Sequence, residues 1–576
     1  YVEPQVSKVQ NLSGWDKFCT QGVVILIIVF FFAFLPLLSG TARYRGDERF
    51  YTDAAIRMGQ TGDYFTPYYH DGTLRLRKPI FIYWAVVASY KIFGINLFSS
   101  RIPFLIAGCL VIWFTYKLSL LFFRRKEWAF IAAAVIASNL TLFHVSVRST
   151  TDTLLCLFIS MSLYGFARLI FNRDQRMINY IFAYVGAGLA VATKGGWGIL
   201  PVGFAFFFCL FRKGSTVTLR ELLDVKSIVI AVFVASFWYV IAYNQHGDVF
   251  VQQFFGDQVG ERFSGPKWYI VENMLTYLFA VVGEFMPWSF ILILLLVTHR
   301  DKDMISHFFR EHKEACIFIL GWYISLCVVF SFGNIQRTRF LFPAYPLVSA
   351  LYAALLVPLA SHGKGLSSSV LQHIARITLA ACFLFGLVLA LAGIFIDMRL
   401  VVGGVLTMFA VAVLYATLFH RRGIYSLVMV ALCIIITFSV TENFISPVIY
   451  NSPAPRVVQK VREYTQGPIE IAGINFDDTF RAQIYVLSGG HIKVINLKGS
   501  ITPDTLRQFR FIILDKSITQ KPMFDGYAVE ECGYSYEKDF KIRSLWSIKT
   551  VDDLRSLIFG LQQRYYLMIK SESPQH

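Results

Sequence analysis

The charged side chains that could do chemistry are concentrated in a few short polar segments of an otherwise apolar chain. The richest runs from 40 to 100. It holds Gly46-Asp47-Glu48-Arg49-Phe50-Tyr51, Gly62-Asp63-Tyr64 with Pro67, Arg75-Leu76-Arg77-Lys78-Pro79, Tyr83-Trp84 and Phe93-Gly94, and leads to Arg101-Ile102-Pro103. Further along come Arg148 and Asp152, Thr193-Lys194-Gly195, Arg262-Phe263 with Trp268-Tyr269, Pro287-Trp288, and Gln336-Arg337-Thr338-Arg339 before Pro343 and Tyr345-Pro346. Carboxylates such as Asp47, Glu48 and Asp152 can take a proton from a hydroxyl or steady positive charge at a carbon. Lys78, Arg49, Lys194, Arg337 and Arg339 can hold phosphate oxygens through charge-assisted hydrogen bonds.

Each of these residues also has a plainer reading. An Asp-Glu pair at a membrane surface is usually just solvated. Lys78 can snorkel, its stem in lipid and its charge among headgroups. Arg337 and Arg339 can be interfacial anchors, and Asp152 can cap the apolar helix that follows it. Glu284 either faces a cavity or lies at the external interface.

The elements that must position these residues are set by composition. Of 576 residues, 56% are hydrophobic and 16% charged. Soluble domains carry about 25% charged residues, so this is not one. Apolar runs near or above the ~18 residues needed to cross a bilayer recur from Val23 to Ile445, so the chain is an α-helical polytopic membrane protein. The first such run is long enough to span, and no cleavable signal is apparent. Collagen, disorder and coiled coil are excluded. The net charge of +17 does not indicate nucleic acid, because the excess lies in loops between spans. Of the nine cysteines only Cys19 and Cys532 lie outside apolar stretches, and neither a disulfide framework nor a zinc site follows.

The runs predict thirteen spans, near 22–39, 101–123, 128–143, 153–171, 180–195, 197–211, 227–244, 275–298, 315–332, 340–358, 374–396, 400–419 and 424–446. Basic clusters such as Arg124-Arg125-Lys126 and Arg421-Arg422 fall on one side, which the Lys/Arg rule makes cytoplasmic. The other side receives 40–100, 245–272 and the tail from Pro447. The stretch Pro79–Phe93 is too short to span and reads as an interfacial helix, with Tyr83, Trp84 and Tyr90 at headgroup depth. Phe50–Gln60 reads as a second helix along the membrane surface. The division is a membrane unit, 1–446, and a small soluble α/β domain, 447–576. In that domain strands at 469–474, 491–497 and 511–514 alternate with helices at 456–464, 478–487 and after Thr502-Pro503, the pattern of an α/β fold. No nucleotide-binding glycine loop is present in it.

The ordered motifs of 40–100, with those at Arg148, Lys194 and Arg337, resemble the amino-terminal signature of the polyprenyl-phosphate-dependent GT-C glycosyltransferases. Within that group the chain looks most like the lipid A aminoarabinose transferases (ArnT) and bacterial relatives of protein O-mannosyltransferases. The likeness covers about residues 20–360; beyond that it rests on architecture, thirteen spans and a periplasmic tail. It implies a sugar donor on a polyprenyl phosphate and an acceptor that is lipid A, another glycolipid, a glycan or a protein, in a bacterial inner membrane. It also implies that Asp47, with Glu48 beside it, and Asp152 are the catalytic carboxylates. Lys78 would bind the donor phosphate, helped by Arg337 and Arg339, with Arg49 and Lys194 as further candidates.

Three departures stand out. Phe50 occupies the position of the family's arginine, for which Arg49 is a possible substitute. Arg77 replaces the glutamate before the lysine, and the external histidine near Trp268 has no evident counterpart. Those two positions are associated with a divalent metal in the family, so a metal is doubtful here; Arg75 and Arg77 suit an anionic donor or acceptor instead. From a different class, a transporter or flippase of lipid-linked saccharides would share a basic cavity, but would show midplane charges and internal repeats. A scaffold whose tail binds a partner is a third reading.

Overall fold

Lipid offers no hydrogen-bond partners, so a chain with long apolar runs must satisfy its backbone within helices. The computed structural model describes residues 6–42, 44, 46–212, 217–260, 269–298, 302–361, 366–419, 423–474, 476–497, 502–515, 526–536 and 562–570. Among them ten helices are long and apolar enough to cross a membrane: Cys19–Ser39, Leu97–Phe123, Thr151–Asn172, Met177–Lys194, Val225–Gly256, Lys313–Ser331, Thr338–Ala360, Ser369–Ile396, Met398–Leu418 and Ile424–Ile449. Two bent helix pairs are long and apolar enough when each is taken as one span, Lys126–Ala137 with Leu140–Ser146 at 63° and Tyr269–Glu284 with Trp288–Thr298 at 84°. With the shorter apolar helix Gly196–Phe211, every one of the thirteen predicted stretches is helical.

The expected third and eighth spans are thus broken rather than continuous. Local chemistry explains both breaks. Asn139 leaves the helical region and caps the second piece, its Oδ1 accepting from the amides of Thr141 at 3.0 Å and Leu142 at 3.2 Å. Pro287 cannot donate a backbone hydrogen bond to the turn before it. The two breaks then lock together. Asn139 Nδ2 donates to the Glu284 carbonyl at 2.7 Å, and Trp288 Nε1 to Ser138 Oγ at 2.9 Å.

The polar stretch after the first span forms the helix Glu48–Thr61, and the short apolar stretch forms Phe81–Phe93. Neither presents the surface expected of it. Tyr51, Ala54, Ala55, Ile56 and Met58 are buried, as are Tyr83 and Tyr90, while Trp84 Nε1 donates to the Tyr64 carbonyl at 2.7 Å. The amphipathic rings pack inside the protein because the two helices lie on each other.

Beyond the last span a five-stranded sheet has the order β2-β1-β3-β5-β4, with β1 Ile469–Ile474, β2 Ile492–Leu497, β3 Phe511–Asp515, β4 Tyr527–Tyr536 and β5 Gln562–Lys570. The first three strands are parallel and alternate with helices, as their spacing predicts. The antiparallel pair β4 and β5 is an addition to the expected elements. Glu530-Glu531 and Gln562-Gln563-Arg564 interrupt the apolar pattern that marks a strand.

The helix Asp478–Leu487 of this region lies against Glu48–Thr61. Arg481 Nη2 reaches Asp53 Oδ2 at 2.7 Å, and both side chains are buried. Tyr485 Oη donates to Gln60 Oε1 at 3.0 Å, Gln60 Nε2 to the Gly490 carbonyl at 3.1 Å, and Gln483 Nε2 to the Thr41 carbonyl at 3.2 Å. The segment bearing Asp47 is therefore braced from the far end of the chain.

Candidate active site

Four of the sequence-predicted residues form one chain of charges. Lys194 Nζ lies 2.5 Å from Asp152 Oδ1; Arg339 Nη1 lies 3.9 Å from Asp152 Oδ2, and its Nη2 lies 3.8 Å from Asp47 Oδ2. Asp152 is 8% exposed, whereas Asp47 is 57% exposed. Lys78, half-buried in the turn before Phe81–Phe93, adds its positive charge to the field on Asp152. A small void of about 10 Å³ lies among Asp152, Lys194, Arg339, Trp197, Phe330 and Phe340.

Local backbone puts these groups there. Gly46, at φ 63°, makes the turn from which Asp47 opens its helix, a left-handed conformation that glycine adopts without steric cost. Asp152 sits in the first turn of Thr151–Asn172, where a negative charge suits the exposed amides. Lys194 ends its helix at Gly195, φ 80°. Gly198 then lets the next turn come so close that a Cβ would lie 2.1 Å from the Val191 nitrogen.

Glu48 goes the other way. It is fully buried, its Oε1 accepting from Arg101 Nε at 2.6 Å and from the Ser149 amide at 3.2 Å, and its Oε2 from Arg101 Nη2 at 3.0 Å. Arg101 Nη1 in turn holds the carbonyls of Leu37, Leu38 and Gly40 at 3.3, 3.2 and 2.6 Å. The structure thus separates the Asp-Glu pair into an exposed group beside Arg339 and a buried group held by Arg101.

Arg49 also points away, its Nη1 lying 3.4 Å from Asp478 Oδ2 with its guanidinium 4.8 Å from the Phe50 ring centre. Arg75 brings a second cation to the Phe50 ring. Its guanidinium carbon is 4.7 Å from the Phe50 ring centre, 5.2 Å from that of Tyr51 and 5.4 Å from that of Tyr69, and its Nη1 donates to Tyr83 Oη at 2.8 Å. Ring faces at these distances attract a cation. Arg75 is buried in this aromatic box, which corrects its reading as a charge offered to an anionic ligand; Arg77 is exposed. The Arg337 side chain is exposed, and its amide donates to Tyr277 Oη at 3.3 Å. Arg262, Phe263 and Trp268 lie outside the described residues.

Glu284 is the polar group whose task was not legible. Its Oε1 accepts from Thr338 Oγ1 at 2.5 Å and its Oε2 from Thr141 Oγ1 at 2.6 Å. It ties the segment carrying Arg337 and Arg339 to the broken third span. Only its place before Pro287 in an apolar run hinted at such a role.

Residues 77–240 match the family described as dolichyl-phosphate-mannose-protein mannosyltransferase. The undecaprenyl phosphate-alpha-4-amino-4-deoxy-L-arabinose arabinosyl transferase of Pectobacterium atrosepticum is 23% identical over 381 residues, 64% of this chain and 64% of that one. That of Pseudomonas aeruginosa is 24% identical over 378 residues, 62% and 64% of the two chains. An uncharacterized protein of Aquifex aeolicus is 26% identical over 346 residues, 59% of this chain and 64% of its own. These similarities therefore span a little under two thirds of the relatives' length. The crystal structure of ArnT from Cupriavidus metallidurans in the apo state superposes on 98% of this chain and 100% of its own with a TM-score of 0.63 at 18% identity. The chain has the ArnT fold. The ArnT structure bound to undecaprenyl phosphate superposes equally well, with a TM-score of 0.63 at 19% identity.

On this ArnT fold, the position associated with a metal-linked glutamate in the family holds Arg77, a cation. Among the described residues no three His, Cys, Asp or Glu side chains come together as metal ligands. The cation at that position does not fit a divalent ion.

Proposed function

We propose that the chain is an integral-membrane glycosyltransferase that moves a sugar from a polyprenyl phosphate, undecaprenyl phosphate in a bacterium, to an acceptor at the periplasmic face of the inner membrane. A glycolipid such as lipid A is the favoured acceptor, with glycans and proteins as the other classes. The observation that carries the reading is the run Lys194, Asp152, Arg339, Asp47 on an ArnT fold.

As the bond from the anomeric carbon to the phosphate oxygen breaks, negative charge grows on the phosphate, and fixed cations favour that state over the bound donor. Lys78, Arg337 and Arg339 supply the positive charge. Asp152 and Lys194 hold each other and Arg339 in place, so the cation need not reorganise as charge develops. Asp47, exposed and only loosely paired, takes the proton of the acceptor hydroxyl whose oxygen forms the new bond. Glu48 acts through Arg101 as a positioning residue.

In this reading residues 1–446 are the catalytic membrane unit and 447–576 a periplasmic α/β domain that braces the helix after Asp47. A transporter or flippase would call for charge near the bilayer midplane. Asp152 and Lys194 lie at the ends of their spans instead. The test is a purified, lipid-reconstituted chain supplied with undecaprenyl-phosphate sugars and membrane glycolipids and followed by mass spectrometry. Sugar-bearing acceptor and free undecaprenyl phosphate should appear together. A donor that stays intact, with unchanged glycolipids, glycans and glycoproteins in a deletion strain, would refute the reading.

A further inference from the structure

The Thr151–Asn172 helix carries Asp152 at one end and Arg168 near the other. Sixteen residues of helix put about 24 Å between them. That far end has a cavity of its own. An opening of about 470 Å³ lies between the last turns of Leu97–Phe123 and Thr151–Asn172, and its polar lining is Lys117, Arg124, Tyr164, Arg168 and Asn172. Leu120, Leu121 and Phe171 supply the apolar wall, and among the described residues no carboxylate lines the opening.

The three cations are unequally compensated. Arg168 pairs with Asp174, which Arg176 shares through bonds of 2.8 and 2.6 Å. Among the described residues neither Lys117 nor Arg124 has a carboxylate partner; Lys117 Nζ lies 4.8 Å from the Trp113 ring centre. Lys117 is six positions before the end of an apolar helix, about 9 Å along it. A charge at that depth is expensive unless something anionic meets it. Arg124 is held at the helix end by its left-handed backbone, φ 54°. Cations from two packed spans, beside apolar side chains and at the level of the span ends, form the kind of basic pocket that takes a lipid headgroup.

We propose that this cavity is a binding site for the phosphate of an anionic glycerophospholipid, on the membrane face opposite the candidate active site. Lys117 and Arg124 contact the phosphate, Tyr164 and Asn172 offer further donors, and Leu120, Leu121 and Phe171 receive the glycerol and upper acyl chain. A free phosphate ion would leave that apolar wall unused. The inference does not depend on the transferase reading.

The test uses the full chain purified in a neutral detergent and titrated with cardiolipin, phosphatidylglycerol or phosphatidylcholine, with bound lipid counted by native mass spectrometry. The wild type should retain the anionic lipids over phosphatidylcholine, and the Lys117→Gln/Arg124→Gln double variant should lose about tenfold in that preference. Lys117→Arg, which keeps the charge, should retain it, and so should Lys226→Gln, an exposed cation at the start of another span. The proposal falls if wild type binds the zwitterionic lipid as well as the anionic ones, or if Lys226→Gln loses as much as the double variant. It also falls if millimolar inorganic phosphate displaces the lipid, since the site would then read a free ion. Should the double variant fail to fold, the wild-type preference and a Lys117→Gln single variant decide the matter alone.

Discussion

Asp47 is 57% exposed and lies 3.8 Å from Arg339; one residue on, Glu48 has no exposure and binds Arg101 with both oxygens. The same charge on adjacent residues has been given opposite surroundings. Glu48, buried and held by three hydrogen bonds, fixes geometry, whereas Asp47 is solvated and only loosely paired. The contrast shows that an Asp-Glu motif need not be a two-carboxylate catalyst. Here the second member holds the helix that presents the first.

The strongest way to break that comparison is Glu48→Ala. It leaves Arg101 buried without its carboxylate, a change that costs about 3–5 kcal/mol in comparable buried pairs. Thermal unfolding in detergent should show a clear loss of stability, with transfer lost alongside. A variant as stable as wild type would mean that the fold does not depend on the pair.

Next in size is the brace from the tail. Arg481→Ala should weaken its docking on the Asp47 helix by about 1.5–3 kcal/mol, the value of a hydrogen bond to a charged group. Burial holds the Asp53 carboxyl above its usual range even with Arg481 beside it. Without Arg481 the folded-state pKa rises further, so the folded form binds the proton more tightly than the unfolded chain. Stability of the variant therefore falls as pH rises through that window and recovers on acidification. Protease protection of the tail, measured across pH, should show the deficit growing from acid to neutral. A deficit that does not change with pH would remove Asp53 from the account.

The smallest effect belongs to Arg49→Gln. Its pair with Asp478 is 3.4 Å long and partly exposed. Such a pair is worth about 0–1 kcal/mol, so stability and transfer should both stay within about fivefold of wild type. A large loss of transfer without loss of stability would return Arg49 to the donor site.

Much of this organisation was legible from the residues. The thirteen helical stretches and the limits of β1 and of the Asp478–Leu487 helix follow from hydropathy and spacing, whereas Asp47, Asp152, Lys194 and Arg339 are singled out by the motifs that carry the family resemblance, and only the structure brings the four together. What was hidden depends on contacts between distant parts of the chain. Nothing local distinguishes Glu48 from Asp47 until Arg101 arrives from the next span. Arg75 looks like an offered cation until Phe50, Tyr51, Tyr69 and Tyr83 close around it. The tail's hold on the Glu48–Thr61 helix joins residues more than 400 positions apart, as at Arg481 and Asp53, separated by 428.

The most direct measurement is transfer by Asp47→Asn, which removes the charge and keeps the volume. The account predicts a variant that unfolds at the wild-type temperature, binds the polyprenyl phosphate donor normally and transfers to a hydroxyl acceptor about 10² to 10⁴ times more slowly. Wild-type transfer by Asp47→Asn would contradict it, because the exposed carboxylate would then have no part in taking the acceptor's proton.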